Sequence, residues 1–182
     1  NLSVLPNGNI AFAGLDTVEL AAQYGTPLYL MDEARIRERC RTYLTAVADA
    51  FDGNGKVLYA SKAASFKRIY EIMQEEGMCT DVVSSGEIFT AVKAGFDLHN
   101  AYFHSNNKTD SDIAYAMDVG VGYFVVDNIE ELTAIDAEAQ RRGIKQQVLL
   151  RITPGIDPHT YAAINTGMVD SKFGSAIETG QA

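Results

Sequence analysis

Lys56-Val57-Leu58-Tyr59-Ala60-Ser61-Lys62-Ala63-Ala64-Ser65 decides how the chain is read. The apolar run from Val57 to Ala60 predicts a short buried strand, and it ends on Ser61 and Lys62 just before a helical pattern that starts near Ser65. A lysine therefore stands at the carboxyl end of a strand. In barrels of parallel strands and helices that end is the open mouth, from which catalytic side chains come. An amine held there against apolar walls that disfavour its charge can act as a nucleophile and form a Schiff base with an aldehyde. The plainer reading is a lysine that snorkels out of a strand end.

Working outward, the same strand-plus-helix unit recurs. Upstream, Leu28–Met31 reads as a strand, and Asp32 can cap a long helix with Ile36, Cys40, Tyr43, Leu44, Val47 and Phe51 on one face. Downstream, a helix from Ser65 carries Phe66, Ile69, Tyr70 and Met73 to a stop at Gly77. Cys79–Val83 is the next strand, followed by a Ser84-Ser85 cap and a helix facing inward with Ile88, Phe89 and Val92. Ala101–His104, the polar loop Ser105–Lys108 and a helix from Thr109 to Val119 form another unit. Tyr123–Val126 is followed by Asp127–Glu130, which resembles a capping box, and by a helix with Leu132, Ile135 and Ala139 inward. Gln147–Ile152 is the sixth strand. Gly77, Gly95, Gly120 and Gly143 mark helix ends in the same phase.

Strands this apolar belong to a parallel sheet covered on both faces, which either stays open or curls into a barrel. The strand sequences leave both choices. The first strand-to-helix turn, Met31-Asp32-Glu33-Ala34, lacks the glycines that a phosphate cradle in an open dinucleotide-binding fold requires, so the expected fold is α/β, a (β/α)8 TIM-type barrel present as about six βα units. Residues 26–182 form this partial barrel. Residues 1–25 form an arm, with a hairpin around Asn7-Gly8 and a short helix from Val18 to Tyr24.

The 182 residues carry a formal net charge of -9, with 47% hydrophobic and 21% charged residues. That is a globular composition, and the negative balance argues against nucleic-acid binding, which needs clustered Lys and Arg. Small metabolites are the expected partners. Cys40 and Cys79 lie far apart, and His99, His104 and His159 have no metal-ligand spacing, so neither a disulfide framework nor a metal site is expected. No run is long and apolar enough for a membrane span, no signal peptide is visible, and a reducing cytoplasm fits best.

Asp32, Lys62, Ser84-Ser85, His104–Asn107 and Asp127 share the strand-end rim. Asp32 and Asp127 are explained as helix caps, whereas Lys62 caps nothing. Asp81 and Arg151 interrupt apolar strands, and a buried charge needs a partner, either a structural ion pair inside the barrel or a bound cofactor. The segment from Arg151 to Gly174 is too long for a simple connection, and loops of that length are commonly functional.

Tyr59-Ala-Ser-Lys62-Ala, Asp81-Val-Val-Ser-Ser-Gly-Glu87, Asn106-Asn-Lys-Thr109 and the run from Arg151 through Ser171-Lys-Phe-Gly174 together resemble the amino-terminal half of diaminopimelate decarboxylases. These belong to the fold-type III, alanine-racemase-like decarboxylases that depend on pyridoxal 5'-phosphate. The resemblance implies that Lys62 is the Schiff-base lysine and that Ala60, Asp81 and Arg151 line the cofactor pocket. Glu87 matches an acidic position of unspecified role. It also implies conversion of meso-2,6-diaminopimelate to L-lysine and carbon dioxide, and a homodimer whose second subunit completes the site with its carboxy-terminal β domain. That β domain, the glycine-rich phosphate-binding segment, the acidic residue at the pyridine nitrogen, the histidine that stacks on the ring and the substrate-carboxylate ligands are expected to have no counterpart in these 182 residues. A decarboxylase of ornithine, arginine or a carboxylated polyamine precursor, a non-catalytic pyridoxal-phosphate-binding barrel, and a phosphate-binding barrel in which Lys62 is incidental are the alternatives. The expected architecture is an open arc of six parallel strands with unpaired backbone at the first and sixth, ending just inside a sixth helix, and with a poorly packed arm before Asp16.

Overall fold

The structure, a computed structural model, describes residues 1–157, 159–161, 165–168, 173–180 and 182. Pro158, Ser171 and Lys172 of the long loop motif lie outside the described residues. At the amino end, β1 (Leu2–Val4) and β2 (Ile10–Phe12) pair antiparallel across the expected Asn7-Gly8 turn, where Gly8 takes φ 86°. Only glycine enters that region without steric cost. A third strand that the sequence did not announce, β3 (Leu15–Asp16), pairs with β2, and Asp16 caps α1 (Thr17–Tyr24) by accepting from Val18 N–H. Leu2, Val4, Ile10 and Leu15 leave apolar surface exposed on this small sheet.

The rest is a repeated strand-and-helix unit. After α2 (Glu33–Ala50) come β4 (Leu58–Ala60), α3 (Lys67–Glu75), β5 (Cys79–Val82), α4 (Ser85–Ala94), β6 (Ala101–His104), α5 (Asp110–Asp118), β7 (Tyr123–Val126), α6 (Ile129–Arg142) and β8 (Gln147–Leu150). The five strands β4-β5-β6-β7-β8 form one parallel sheet in sequence order. Their helix-facing side chains, among them Val82, Phe103 and Phe124, are fully or almost fully buried with Ile69, Tyr70, Met73, Ile88, Ile113 and Ile135. Each such side chain stabilises by about 1.5 to 3 kcal/mol relative to exposure, and this layer is the core. The opposite face carries Ala60, Asp81, Tyr102 and Tyr123, aligned by the strand register, with the two tyrosine rings stacked at 4.4 Å. On that face these four side chains keep contact with solvent.

Several expectations are corrected. The sheet has five strands, not six, because Leu28–Met31 makes no ladder. An apolar cleft of about 650 Å³ lined by Leu30, Met31, Ile36, Leu58, Tyr59 and Ala60 lies where its hydrogen bonds to β4 would have to run. The sixth strand stops at Arg151 and resumes as β9 (Ile152–Thr153), which pairs in parallel with β10 (Ser175–Ala176). A strand pair and a turn at 177–180 thus replace the expected helix after Gly174. The helix expected from Ser65 starts at Lys67, since Ser61–Ala63 first makes a 3-10 turn. Tyr43, Phe51 and Phe89 are exposed despite helical spacing, and α2 buries only Cys40. Charges fasten α2 to α3 instead: Arg37 pairs with Glu75 and Glu76, Arg41 with Glu76, and Arg68 with Glu33.

Candidate functional site at the carboxyl ends of the strands

Lys62 sits in the middle of the 3-10 turn that follows β4, and both ends of that turn are pinned. On one side Ser61 is fully buried, with Oγ 2.7 Å from the Asp81 carbonyl and 2.8 Å from Glu87 Oε2. On the other, the Tyr59 hydroxyl donates to the Ala64 carbonyl at 2.8 Å. Burial pushes the Tyr59 phenol above its ordinary range, so it stays a donor. Lys62 is exposed between these pins, and its backbone has little freedom while its amine is open to a ligand.

Glu87 is where the sequence left a role open. Its amide N–H is capped by Ser84 Oγ at 3.3 Å, and its own carboxylate reaches back to accept from Val83 N–H at 2.7 Å. The carboxylate thereby ties the start of α4 to the end of β5 and, through Ser61, to the end of β4.

Asp81 lies beside Ala60 in the strand register. Its Oδ2 is 3.5 Å from His104 Nδ1, while Oδ1 is buried and has no hydrogen-bond partner among the described residues. A buried carboxylate oxygen without a donor is costly, which makes it a natural acceptor for a group supplied from outside the chain. Ala60, Asp81 and the Lys62 turn are brought together here.

Arg151 is placed elsewhere on the rim. Its Nη1 donates to Asp127 Oδ1 at 3.2 Å and its guanidinium stacks over Phe173 at 4.3 Å, so no ion pair joins it to Asp81 among the described residues. Asp127 is not the helix cap the sequence suggested. Asn128 performs that task by accepting from Glu131 N–H at 2.8 Å, which frees Asp127 to accept from Arg151 and from Gly174 N–H at 3.1 Å. Gly174 takes φ 70°, and a Cβ there would stand 2.8 Å from the Arg151 carbonyl, so a side chain is excluded.

Lys108, read from the sequence as part of a polar loop and of the Asn106-Asn-Lys-Thr109 resemblance, is buried. Its ammonium donates to the carbonyls of Ser105 and Val125 and to Glu131 Oε1, at 2.9, 2.7 and 2.7 Å. Burial lowers its pKa, and the Glu131 carboxylate works against that shift. Glu131 also accepts from Asp127 N–H at 3.4 Å. Two glutamates three residues after a cap, Glu87 and Glu131, thus clamp alternate strand ends in the same way. Their cap-x-x-Glu spacing was the available signal; nothing local distinguishes Lys108.

The profile of the pyridoxal-dependent decarboxylase, pyridoxal binding domain family matches residues 33–182. A diaminopimelate decarboxylase of Bacillus methanolicus is 45% identical over 96% of this chain and 40% of its own length. The crystal structure of the M. jannaschii diaminopimelate decarboxylase superposes with a TM-score of 0.86 at 31% identity, covering 100% of this chain and 42% of that one. The same protein in complex with L-lysine gives 0.85 at 30% identity with the same coverage. The chain spans about 40% of the length of the curated relatives it matches. With a parallel sheet of βα units, a lysine on a pinned turn at its mouth and a family profile over most of its length, the chain belongs to the pyridoxal-dependent decarboxylases, as part of a fold-type III α/β barrel.

Proposed function

We propose that this chain forms the cofactor-binding part of an enzyme that uses pyridoxal 5'-phosphate to convert meso-2,6-diaminopimelate to L-lysine and carbon dioxide. The observation that carries the reading is the exposed amine of Lys62 on a pinned turn, next to an Asp81 carboxylate whose buried Oδ1 has no partner among the described residues. An aldehyde-bearing heterocycle fits that pair, because the amine can hold the aldehyde and the unpartnered carboxylate oxygen can accept a hydrogen bond from the bound group. Bound there, the cofactor supplies the electron sink for the charge left when carbon dioxide departs. Lys62 holds the cofactor, Ala60 leaves room beside it, Asp81 orients it through the free oxygen, and Arg151 contributes positive charge from the next part of the rim. Ser61 and Glu87 keep Lys62 from drifting.

The diaminopimelate assignment is supported by the relatives' named activity and by a related structure that holds L-lysine, the expected product. In this reading residues 26–182 are the barrel portion and residues 1–25 an arm. The remaining length of an enzyme of the relatives' size supplies the further strands and a β domain, and two such subunits complete each other's sites in the cytoplasm.

The test uses the whole enzyme. Its visible absorption is followed before and after borohydride, the reduced adduct is mapped by peptide sequencing, and carbon dioxide release is assayed with diaminopimelate, ornithine and arginine. The expected result is an adduct on Lys62 and release from diaminopimelate. An adduct on Lys93, Lys108 or Lys172 would sink the role of Lys62, and release from ornithine or arginine alone would establish the alternative substrate class.

A further inference from the structure

We infer that Asp127 is a positioning residue that holds the Arg151 guanidinium in its working orientation and locks the Phe173–Ser175 segment against it. The Asp127 side chain is only 4% exposed. One oxygen accepts from Arg151 Nη1 at 3.2 Å and the other from Gly174 N–H at 3.1 Å, so a single carboxylate joins the end of β7 to the end of β8 and to the strand that returns beside β9. The surrounding geometry makes this orientation specific. Ser175 N–H donates to the Arg151 carbonyl at 2.9 Å, Thr153 Oγ1 donates to the Phe173 carbonyl at 2.5 Å, and the Arg151 guanidinium carbon lies over the Phe173 ring, 4.3 Å from its centroid.

Arginine has five N–H donors in a rigid planar fork. Among the described residues its fork makes one hydrogen bond, to Asp127, which leaves donors for a ligand. Without the carboxylate the long side chain would sample other rotamers, and its stacking on Phe173 alone fixes no rotation about the ring normal. Asp127 is itself anchored from behind, because its backbone N–H donates to Glu131 at 3.4 Å and Glu131 is paired with the buried Lys108 at 2.7 Å. Capping does not explain the aspartate, since Asn128 caps α6.

The inference rests on Arg151 acting on the cofactor side, as proposed above. The experiment is a double-mutant cycle on the whole enzyme freed of cofactor: wild type, Asp127→Asn, Arg151→Met and the double variant, each titrated with pyridoxal 5'-phosphate by absorption and each melted without it. Asn preserves an acceptor for Gly174 and removes the charge that aims Arg151. Asp127→Asn is expected to weaken cofactor binding about tenfold in the wild-type background and less than about twofold when Arg151 is already Met, the non-additivity of two groups acting as a unit. Equal losses in both backgrounds would overturn the inference while leaving the role of Arg151 standing. A lowered melting temperature with unchanged cofactor affinity would also overturn it, by making Asp127 purely structural. If Arg151→Met binds the cofactor like wild type, the role of Arg151 fails and the inference falls with it. Should Asp127→Asn not fold, Asp127→Ser, which retains an acceptor, takes its place in the same cycle.

Discussion

Lys62 and Lys108 follow alternate strands on the same rim, and their fates are opposite. Lys108 has a side chain with 0% exposure, its ammonium enclosed by two carbonyls and Glu131. Lys62 is exposed. The surroundings are built alike: in each case a capped helix sends a glutamate at its third position back to the preceding backbone, Glu87 to Val83 N–H and Glu131 to Asp127 N–H. The difference lies in what else meets the carboxylate. Glu131 receives a lysine amine, whereas Glu87 receives the hydroxyl of Ser61, the residue next to Lys62. A clamp closed by a neutral hydroxyl fixes the backbone and leaves the adjacent amine available. A clamp closed by the amine itself consumes it.

The largest effect should come from the exposed lysine. In the whole enzyme Lys62→Ala is expected to abolish both turnover and the borohydride-stable adduct, with a melting temperature of the cofactor-free protein close to wild type. A large drop in that temperature would mean Lys62 is as structural as Lys108 and would erase the contrast.

Lys108→Met should act on stability instead. Removing one partner of a buried ion pair leaves an uncompensated charge and costs about 3 to 5 kcal/mol, measurable by urea denaturation. Adding Glu131→Gln should recover much of that loss, while the folded fraction still forms its adduct on Lys62. Failure of the second change to recover stability would show that Lys108 contributes through its carbonyl contacts rather than through the charge pair.

Glu87→Gln tests the neutral clamp. One carboxylate oxygen, Oε2, accepts from both Ser61 and Val83, and replacing it by a neutral amide oxygen weakens both bonds, so a loss of about 1 to 3 kcal/mol is expected. Cofactor binding should weaken with it if the Lys62 turn loosens, and unchanged binding would show that Tyr59 alone holds the turn. The smallest effects come from the caps. Ser84→Ala and Asn128→Ala each remove one N-cap and should cost about 1 kcal/mol in chemical denaturation. Markedly unequal losses would indicate that the two clamps are less alike than their geometry suggests.

Much of this was legible in the sequence because it is local. Apolar runs, Ser84 as a cap, and the Gly95 and Gly143 stops are decided by side chains within a few residues, and each appears where the pattern put it. The Lys62 position at a strand end was legible for the same reason. What failed depends on partners distant in sequence. Leu28–Met31 has strand composition, but a strand is made by a neighbour, and β4 pairs only with β5 among the described residues. Asp127 and Asn128 are both good caps, and only the presence of Arg151 and Gly174 decides between them. Burial of Lys108 is set by Glu131, whose own neighbours give no hint of it.

The seam between α2 and α3 has a consequence for the solution in which the protein is handled. α2 fully buries only Cys40, with Ile36 and Leu44 partly buried against the core, so Arg37, Arg41 and Arg68 facing Glu33, Glu75 and Glu76 add to its attachment, and mobile ions compete with the more exposed of these pairs, such as Arg68 with Glu33. The guanidinium groups hold the Glu33 and Glu76 carboxyls down to about 2. The unfolded carboxyls titrate near 4.3, so the seam is fully formed above that pH and is lost as the pH falls toward 2. High ionic strength should therefore loosen α2 at neutral pH, while mild acid leaves it in place, and amide hydrogen exchange along residues 33–50 would register the former first. A purification that moves from strong salt to dilute buffer would tighten this helix onto the sheet without any ligand being added.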